Sequence, residues 1–172
     1  MKFEKIIKEI LEEQIDPITV GKNIITTLMN RFKSKPVQKG PLPFNEKNLS
    51  AELTKQGVSF PDVAMAQARL ETGHFKSDVF KENNNLFGMK RAVHRTTLGQ
   101  GNPGEYVYFK SIEESIIDYK LYQMQFVHEI NSEEMYIKRI CQSYSSNDNY
   151  EKLLLSVLES AREKIKWIKT KS

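Results

Sequence analysis

What most constrains this chain is a succession of apolar residues at helical spacing, segment after segment, each closed by proline or glycine. Phe3, Ile6, Ile7, Ile10 and Leu11 recur with charges opposite them, the pattern of an amphipathic helix. Asp16-Pro17 interrupts it, and Ile24, Ile25, Leu28, Met29 and Phe32 mark a second helix. The run SKPVQKGPLPF, with three prolines and a glycine, cannot be helical. Residues 1–34 therefore read as a helical pair and 35–45 as a Pro-rich linker. The pair either docks a partner or packs on the main domain, which occupies 46–172.

In that domain Leu49 and Leu53 predict a short helix closed by Gly57. Ser59, as a cap, and Pro61, in the first turn, start another that runs through VAMAQARLE and stops near Gly73. A polar stretch, ENNNLFGMK, follows. Thr96-Thr97, a Gly-rich turn and the alternating Tyr-Val-Tyr-Phe then predict a small β-hairpin. Ser111-Ile-Glu-Glu is a capping box opening a long helix with Ile116, Ile117, Lys120, Leu121, Met124 and Val127 on one face. Ser132 begins the next, with Met135, Ile140 and Cys141. After the break at Asn147-Asp148-Asn149, a last helix carries Tyr150, Leu153, Leu154, Val157, Leu158, Ala161, Ile165 and Ile168. The expected fold class is mainly α, with one short β-hairpin lobe.

At 172 residues the chain can bury a core without staples, and its single cysteine, Cys141, forms no intrachain disulfide. That thiol is expected to be a small buried hydrophobe. The net charge of +4 favours an anionic partner: a bacterial wall, nucleic acid or a membrane surface. No stretch approaches the roughly 20 apolar residues of a membrane span. The N-terminus lacks the uninterrupted apolar run of a secretory signal. The basic residues Lys164, Lys166, Lys169 and Lys171 read as a solvated helix end rather than a nucleic-acid surface. His74, His94 and His128 lack metal-ligand spacing, and no phosphate-binding Gly-rich loop appears, so neither metal nor cofactor is expected.

One residue combines the right chemistry with the right place. Ala64, Gln67, Ala68 and Glu71 share a helix face, and the small alanines would admit either another helix or a sugar. Glu71 stands at the helix C-terminus, where the dipole is negative, beside the apolar Leu70 and Phe75. Both effects raise a carboxyl pKa, as glycosidic cleavage requires of a proton donor. Position alone also describes an ordinary surface glutamate near a helix end.

The motifs around it decide. Ala66-Gln67-Ala68, Glu71-Thr72-Gly73, Ser77 and Asn84-Asn85-Leu86-Phe87-Gly88-Met89-Lys90 resemble the glucosaminidase family of peptidoglycan hydrolases (glycoside hydrolase family 73, as in the flagellar muramidase domain). Thr72 and Met89 replace the family's Ser and Ile. Tyr108-Phe109-Lys110-Ser111, Asp118-Tyr119, Tyr144 and Asn149-Tyr150-Glu151-Lys152 resemble later family stretches, so the resemblance runs from about Asn48 to Ile165.

The resemblance implies a lysozyme-like α+β fold with the hairpin lobe beside a cleft, and the glycan strands of peptidoglycan as substrate. The bond would be the β-1,4 link between N-acetylglucosamine and N-acetylmuramic acid, with Glu71 the acid. Gln67, Asn84, Asn85, Phe87, Tyr144 and Tyr150 are candidate substrate-binding residues. Asn84 and Asn85 serve either N-acetyl groups or the turn itself, and Phe87 packs beneath the turn. Tyr144 and Tyr150 hold either water and the N-acetyl group or the core. The family's second carboxylate is proposed on the lobe, whose one acid in this chain is Glu105, either a catalytic partner or a solvated hairpin residue. Glu113, Glu114 and Asp118 lie in or after a helix cap and are poorer candidates. Without a second acid, the substrate's acetamido group would assist, or a single acid would permit lytic transglycosylation. The competing expectation is a non-catalytic wall-binding or structural component of a phage particle or secretion machine. With no visible export signal, delivery is expected by phage-type release or on a virion, with residues 1–34 as a docking element.

Overall fold

The computed structural model describes residues 46–127, 129–144 and 149–170, and of 46, 47 and 164–170 only the backbone. Residues 46–93 and 97–170 belong to one compact unit. The helical pair expected over 1–34 and the linker over 35–45 lie outside the described residues, as do His128, Asn147 and Asp148.

Among the described residues the chain forms α1 (Glu46–Lys55), α2 (Pro61–Glu71), α3 (Asp78–Asn83), α4 (Ile112–Phe126), α5 (Glu133–Tyr144) and α6 (Tyr150–Thr170). The molecule is mainly helical, as its apolar spacing requires. α1 buries Leu49 and Leu53. It closes where Gly57, at φ +66°, lets the Gly57 and Val58 amides return to the Thr54 and Leu53 carbonyls.

α2 is the central helix. Every residue from Val63 to Arg69 is buried. Ala64, Met65 and Ala68 join one apolar cluster with Leu86, Phe87 and Tyr119. Val63 and Ala66 join another with Tyr136, Ile140 and Leu154. Its principal neighbour is α6, so the alanines admit packing rather than a sugar, and of that face only Glu71 at the helix end stays partly exposed. The expected Ser59 side-chain cap is not used. Phe60 occupies the N-cap in a left-handed conformation, φ 50°, with no side-chain cap. The Ser59 backbone instead pairs with the Gln123 side chain, its N–H donating to Oε1 (2.9 Å) and its carbonyl accepting from Nε2 (3.0 Å). A tertiary partner has replaced the local one.

Two apolar residues of the helical patterns lie off the buried stripes. Met135 is 60% exposed, because the buried face of α5 is Tyr136, Ile137 and Ile140. Leu153 is 48% exposed, because Tyr150, Leu154, Leu158 and Ala161 form the inward stripe of α6. Cys141 is partly buried beside the second cluster. α3 has no counterpart in the apolar spacing. Six residues with one buried side chain, Phe80, show no period, and the helix rests on Ser77, whose Oγ accepts from the Phe80 amide (3.2 Å). α4 starts as expected, with Ser111 Oγ accepting from the Glu114 amide (3.2 Å), but the Glu114 carboxylate reaches back to the Lys110 amide (2.9 Å), one residue earlier than a capping box requires.

The expected β-hairpin is also corrected. Among the described residues the lobe holds isolated bridges, Lys90 with Tyr106, Gln100 with Tyr108, and Arg91 with Pro103, and no regular strand. The reason is divided pairing. Val107 donates to the Met89 carbonyl on one side, while Tyr108 exchanges both backbone bonds with Gln100 on the other. Neither side extends into a ladder, and Pro103 has no N–H to give.

Candidate active site

Glu71 is the last residue of α2, and Thr72 fixes how the helix ends there. The Thr72 hydroxyl donates to the Ala68 carbonyl (2.6 Å) and accepts from the Phe75 amide (2.8 Å). The chain then turns through Gly73, His74 and Phe75, all at positive φ. Non-glycine residues there carry local strain, which the buried Thr72 helps to hold.

The Glu71 carboxyl is gripped from two sides. Tyr150, the first residue of α6, donates to Oε1 at 2.6 Å. Gly88 lies against the other oxygen: a β-carbon there would stand 3.1 Å from Oε2, and the backbone is at φ +59°. Gly88 is thus required twice, for its conformation and for its lack of a side chain. Burial raises the Glu71 pKa above the ordinary carboxylate value, and the Tyr150 hydrogen bond opposes that rise. Tyr150 in turn ionises far less readily than a free phenol, first because it is buried and then because the carboxylate faces it.

The turn that presents Gly88 is held by its own side chains. Asn84 adopts the left-handed C-cap of α3, φ 52°, and its Nδ2 donates to the Phe109 carbonyl (3.0 Å). Asn85 is buried; its Nδ2 donates to the Met89 and Val107 carbonyls and its Oδ1 accepts from the Met89 amide, each at 2.9 Å. Ser115 Oγ takes the Leu86 amide (3.1 Å). Phe87 is fully buried with its ring stacked on Tyr119, centroids 3.9 Å apart. Tyr144 donates to the Phe87 carbonyl (2.8 Å) and clamps the turn from α5. Gln67 is fully buried, its Oε1 accepting from Tyr119 (2.6 Å). Of the expected binding residues, then, Tyr150 meets Glu71 directly, Tyr144, Asn84 and Asn85 build the turn, and the buried Phe87 ring and Gln67 amide present no surface to a ligand.

Glu105 is exposed, its carboxylate accepting from Asn102 Nδ2 (3.0 Å) on its own loop. Its carbonyl takes the Arg91 amide (2.9 Å). Arg91 lies three positions after Gly88, at most about 10 Å of extended chain. Asp118 and Glu114 are committed elsewhere: buried Asp118 accepts the Leu98 amide (2.8 Å), and Glu114 the Lys110 amide. Two exposed aromatics on the lobe, Tyr106 and Tyr108, were not among the candidate binding residues of the sequence. Their alternation with buried Val107 is visible in the sequence but speaks for pairing as readily as for a ligand. Among the described residues no cluster of metal-ligating side chains occurs, and no helix is long and apolar enough to cross a membrane.

A family model for Glucosaminidase, described as mannosyl-glycoprotein endo-beta-N-acetylglucosaminidase, matches residues 47–163. Searches of curated proteins and of solved structures return no significant match. The matched span is more than half of the chain and contains Glu71, the Asn84–Lys90 turn and Tyr150. The chain belongs to the Glucosaminidase family and, at that level, is a peptidoglycan-degrading glycosidase.

Proposed function

We propose that the protein is an endo-acting N-acetylglucosaminidase that cuts the β-1,4 glycan backbone of peptidoglycan with Glu71 as proton donor. One observation carries this reading: a half-buried carboxyl at the end of the central helix, its pKa raised by burial, held between the Tyr150 hydroxyl and the Gly88 backbone. Because Tyr150 donates to Oε1, the acidic proton is left to Oε2. Burial favours the protonated form before reaction, and Tyr150 stabilises the anion once the leaving oxygen has taken the proton. The exposed rings of Tyr106 and Tyr108 suit the apolar faces of sugars.

Glu105 is our candidate for the second carboxylate, activating water or stabilising the cationic centre as the glycosidic bond opens. If it does so, Glu105→Gln loses most activity. If the substrate's acetamido group takes that part, the variant stays active. The product test is digestion of purified walls followed by mass analysis. Reducing N-acetylglucosamine ends support the proposal. Reducing muramic ends indicate a muramidase and anhydro-muramic ends a transglycosylase, while wall binding without fragments indicates a non-catalytic module. We extend the proposal to delivery by phage-type release with residues 1–34 as a docking element. Unchanged particle association after their deletion would remove that extension.

A further inference from the structure

The lobe carries a face that the proposed proton transfer does not use. Lys90 and Tyr106 form an antiparallel pair flanked by two backbone bonds, from the Val107 amide to the Met89 carbonyl (3.0 Å) and from the Arg91 amide to the Glu105 carbonyl (2.9 Å). That is the non-hydrogen-bonded kind of pair, whose side chains come closest. The Lys90 ammonium accordingly stands over the Tyr106 ring, 5.7 Å from its centroid. Tyr108 emerges on the same face as Tyr106, because Val107 between them points inward and is buried. Tyr108 exchanges both backbone bonds with Gln100, and its hydroxyl donates to Gln100 Oε1 (2.7 Å), which fixes the ring. Both rings stay about half exposed, Tyr106 at 51% and Tyr108 at 46%.

Charge and position say what this face would take. The charged residues at 88–93 and 97–110 are Lys90, Arg91, Glu105 and Lys110, three of the four basic. Arg91 is spent on the Gly99 carbonyl and Glu105 accepts from Asn102. Among the described residues no carboxylate pairs with the exposed Lys90, so its charge is left for an outside anion. The face is also near the acid. A β-carbon on Gly88 would stand 3.1 Å from Glu71 Oε2, and Lys90 lies two positions after Gly88, at most about 7 Å of chain. Tyr106 and Tyr108 are about 7 Å apart along the chain, comparable with the length of one pyranose unit.

We propose that Lys90, Tyr106 and Tyr108 form a subsite for the acid-bearing sugar of the glycan strand, N-acetylmuramic acid. Tyr108 packs its ring against the sugar. Tyr106 holds the Lys90 ammonium, which pairs with the carboxylate of the sugar's lactyl arm or, where that arm carries a peptide, of the peptide. The subsite makes the protein prefer a wall strand to a neutral polymer of N-acetylglucosamine. Glu71 cannot make that distinction, because both polymers present a β-1,4 bond for it to protonate. The identity of the sugar rests on the proposed peptidoglycan substrate and deepens it.

The test is an amide chemical-shift titration of full-length Glu71→Gln, which lacks the proposed acid, with three ligands. These are di-N-acetylchitobiose, the disaccharide of N-acetylglucosamine and N-acetylmuramic acid, and the same disaccharide bearing its peptide. An acid-bearing ligand is expected to bind about three- to fivefold tighter than chitobiose, the scale of an exposed ion pair, and the preference is expected to fade at high salt. Preference for the bare disaccharide identifies the lactyl carboxylate as the partner; preference for the peptide-bearing form alone identifies the peptide's. Lys90→Met is expected to abolish the preference and Lys90→Arg to keep it. Tyr108→Leu is expected to weaken all three ligands alike. Equal affinity for the three ligands, a preference that survives Lys90→Met, or a Tyr108→Leu variant that binds as before overturns the proposal. The outcome is separable from the proposed function: cleavage of a ligand by Glu71→Gln would appear as new anomeric signals and count against the acid assignment, while the affinities bear on the subsite.

Discussion

Tyr150 and Glu71, the opening residue of α6 and the closing residue of α2, are joined by a 2.6 Å hydrogen bond across 79 positions of sequence. The bond sets two influences on one carboxyl against each other. Burial favours the acid and the phenol favours the anion. A group that gives up a proton and later takes one back needs both forms within reach.

The first prediction follows from that opposition. Tyr150→Phe removes the influence that lowers the Glu71 pKa, so the pKa rises further. A proton donor works while protonated, and activity falls as pH rises through its pKa. The alkaline limb of wall digestion is therefore expected to move to higher pH in Tyr150→Phe, with a lower maximum because the anion has lost its donor. Initial rates across a pH series check this; a limb that stays or moves to lower pH contradicts it.

Gly88 is predicted to be intolerant for a reason specific to its place. Gly88→Ala adds left-handed backbone strain of about 1 kcal/mol and also sets a methyl 3.1 Å from Glu71 Oε2. Gly57→Ala, at φ +66° with nothing within 4 Å, adds the strain alone. Both variants are expected to melt a few degrees lower, but only Gly88→Ala is expected to lose wall digestion, by roughly tenfold or more. Thermal melts with parallel digestion assays separate the two effects.

Asn85 is predicted to act on stability before anything else. Asn85→Ala strips the partner from the Met89 amide and a donor from the Val107 carbonyl, and leaves the Met89 carbonyl with the Val107 amide alone. Unpaired buried groups cost about 1–3 kcal/mol each, so a loss of roughly 2–4 kcal/mol is expected in denaturant unfolding. A variant of undiminished stability with weakened wall binding would instead make Asn85 a ligand contact.

Glu71 itself should carry a stability penalty. Its folded pKa lies above its unfolded value, so its contribution is fully present below the unfolded pKa and is lost as pH rises through the folded one. Glu71→Gln, which cannot ionise, is expected to melt roughly 1–4 °C above the parent near pH 7. The difference should vanish at pH below the ordinary carboxylate range. A variant less stable than the parent at neutral pH would contradict the sign.

Much of the fold was legible in the sequence, and the exceptions have physical causes. Long helices with buried stripes announced themselves, as did Glu71 at a helix end and the turn that follows. The periodic signal failed where a helix had only one residue to bury, as at Phe80. It does not separate Met135 and Leu153, which share an apolar character with the core, from the residues on its face. The Ser59 cap and the hairpin failed for a common reason: local propensity lost to a distant partner, Gln123 in one case and the divided pairing of Tyr106–Tyr108 in the other. Within the site, residue types were readable but their employment was not. Phe87 and Asn85 belong to the turn's interior, and nothing local in the sequence tells an asparagine that binds a sugar from one that binds its own backbone. The junction of Tyr150 with Glu71 depends on α6 crossing α2, a tertiary fact.

The most direct test of the central claim is the digestion rate of purified walls by Glu71→Gln beside the parent, with folding verified by circular dichroism. Glutamine keeps the shape and can still accept from Tyr150, but it has no proton of carboxylic acidity to give. The account predicts a rate lower by about 100-fold or more with the helical spectrum intact. Digestion by folded Glu71→Gln at the parent's rate would contradict it.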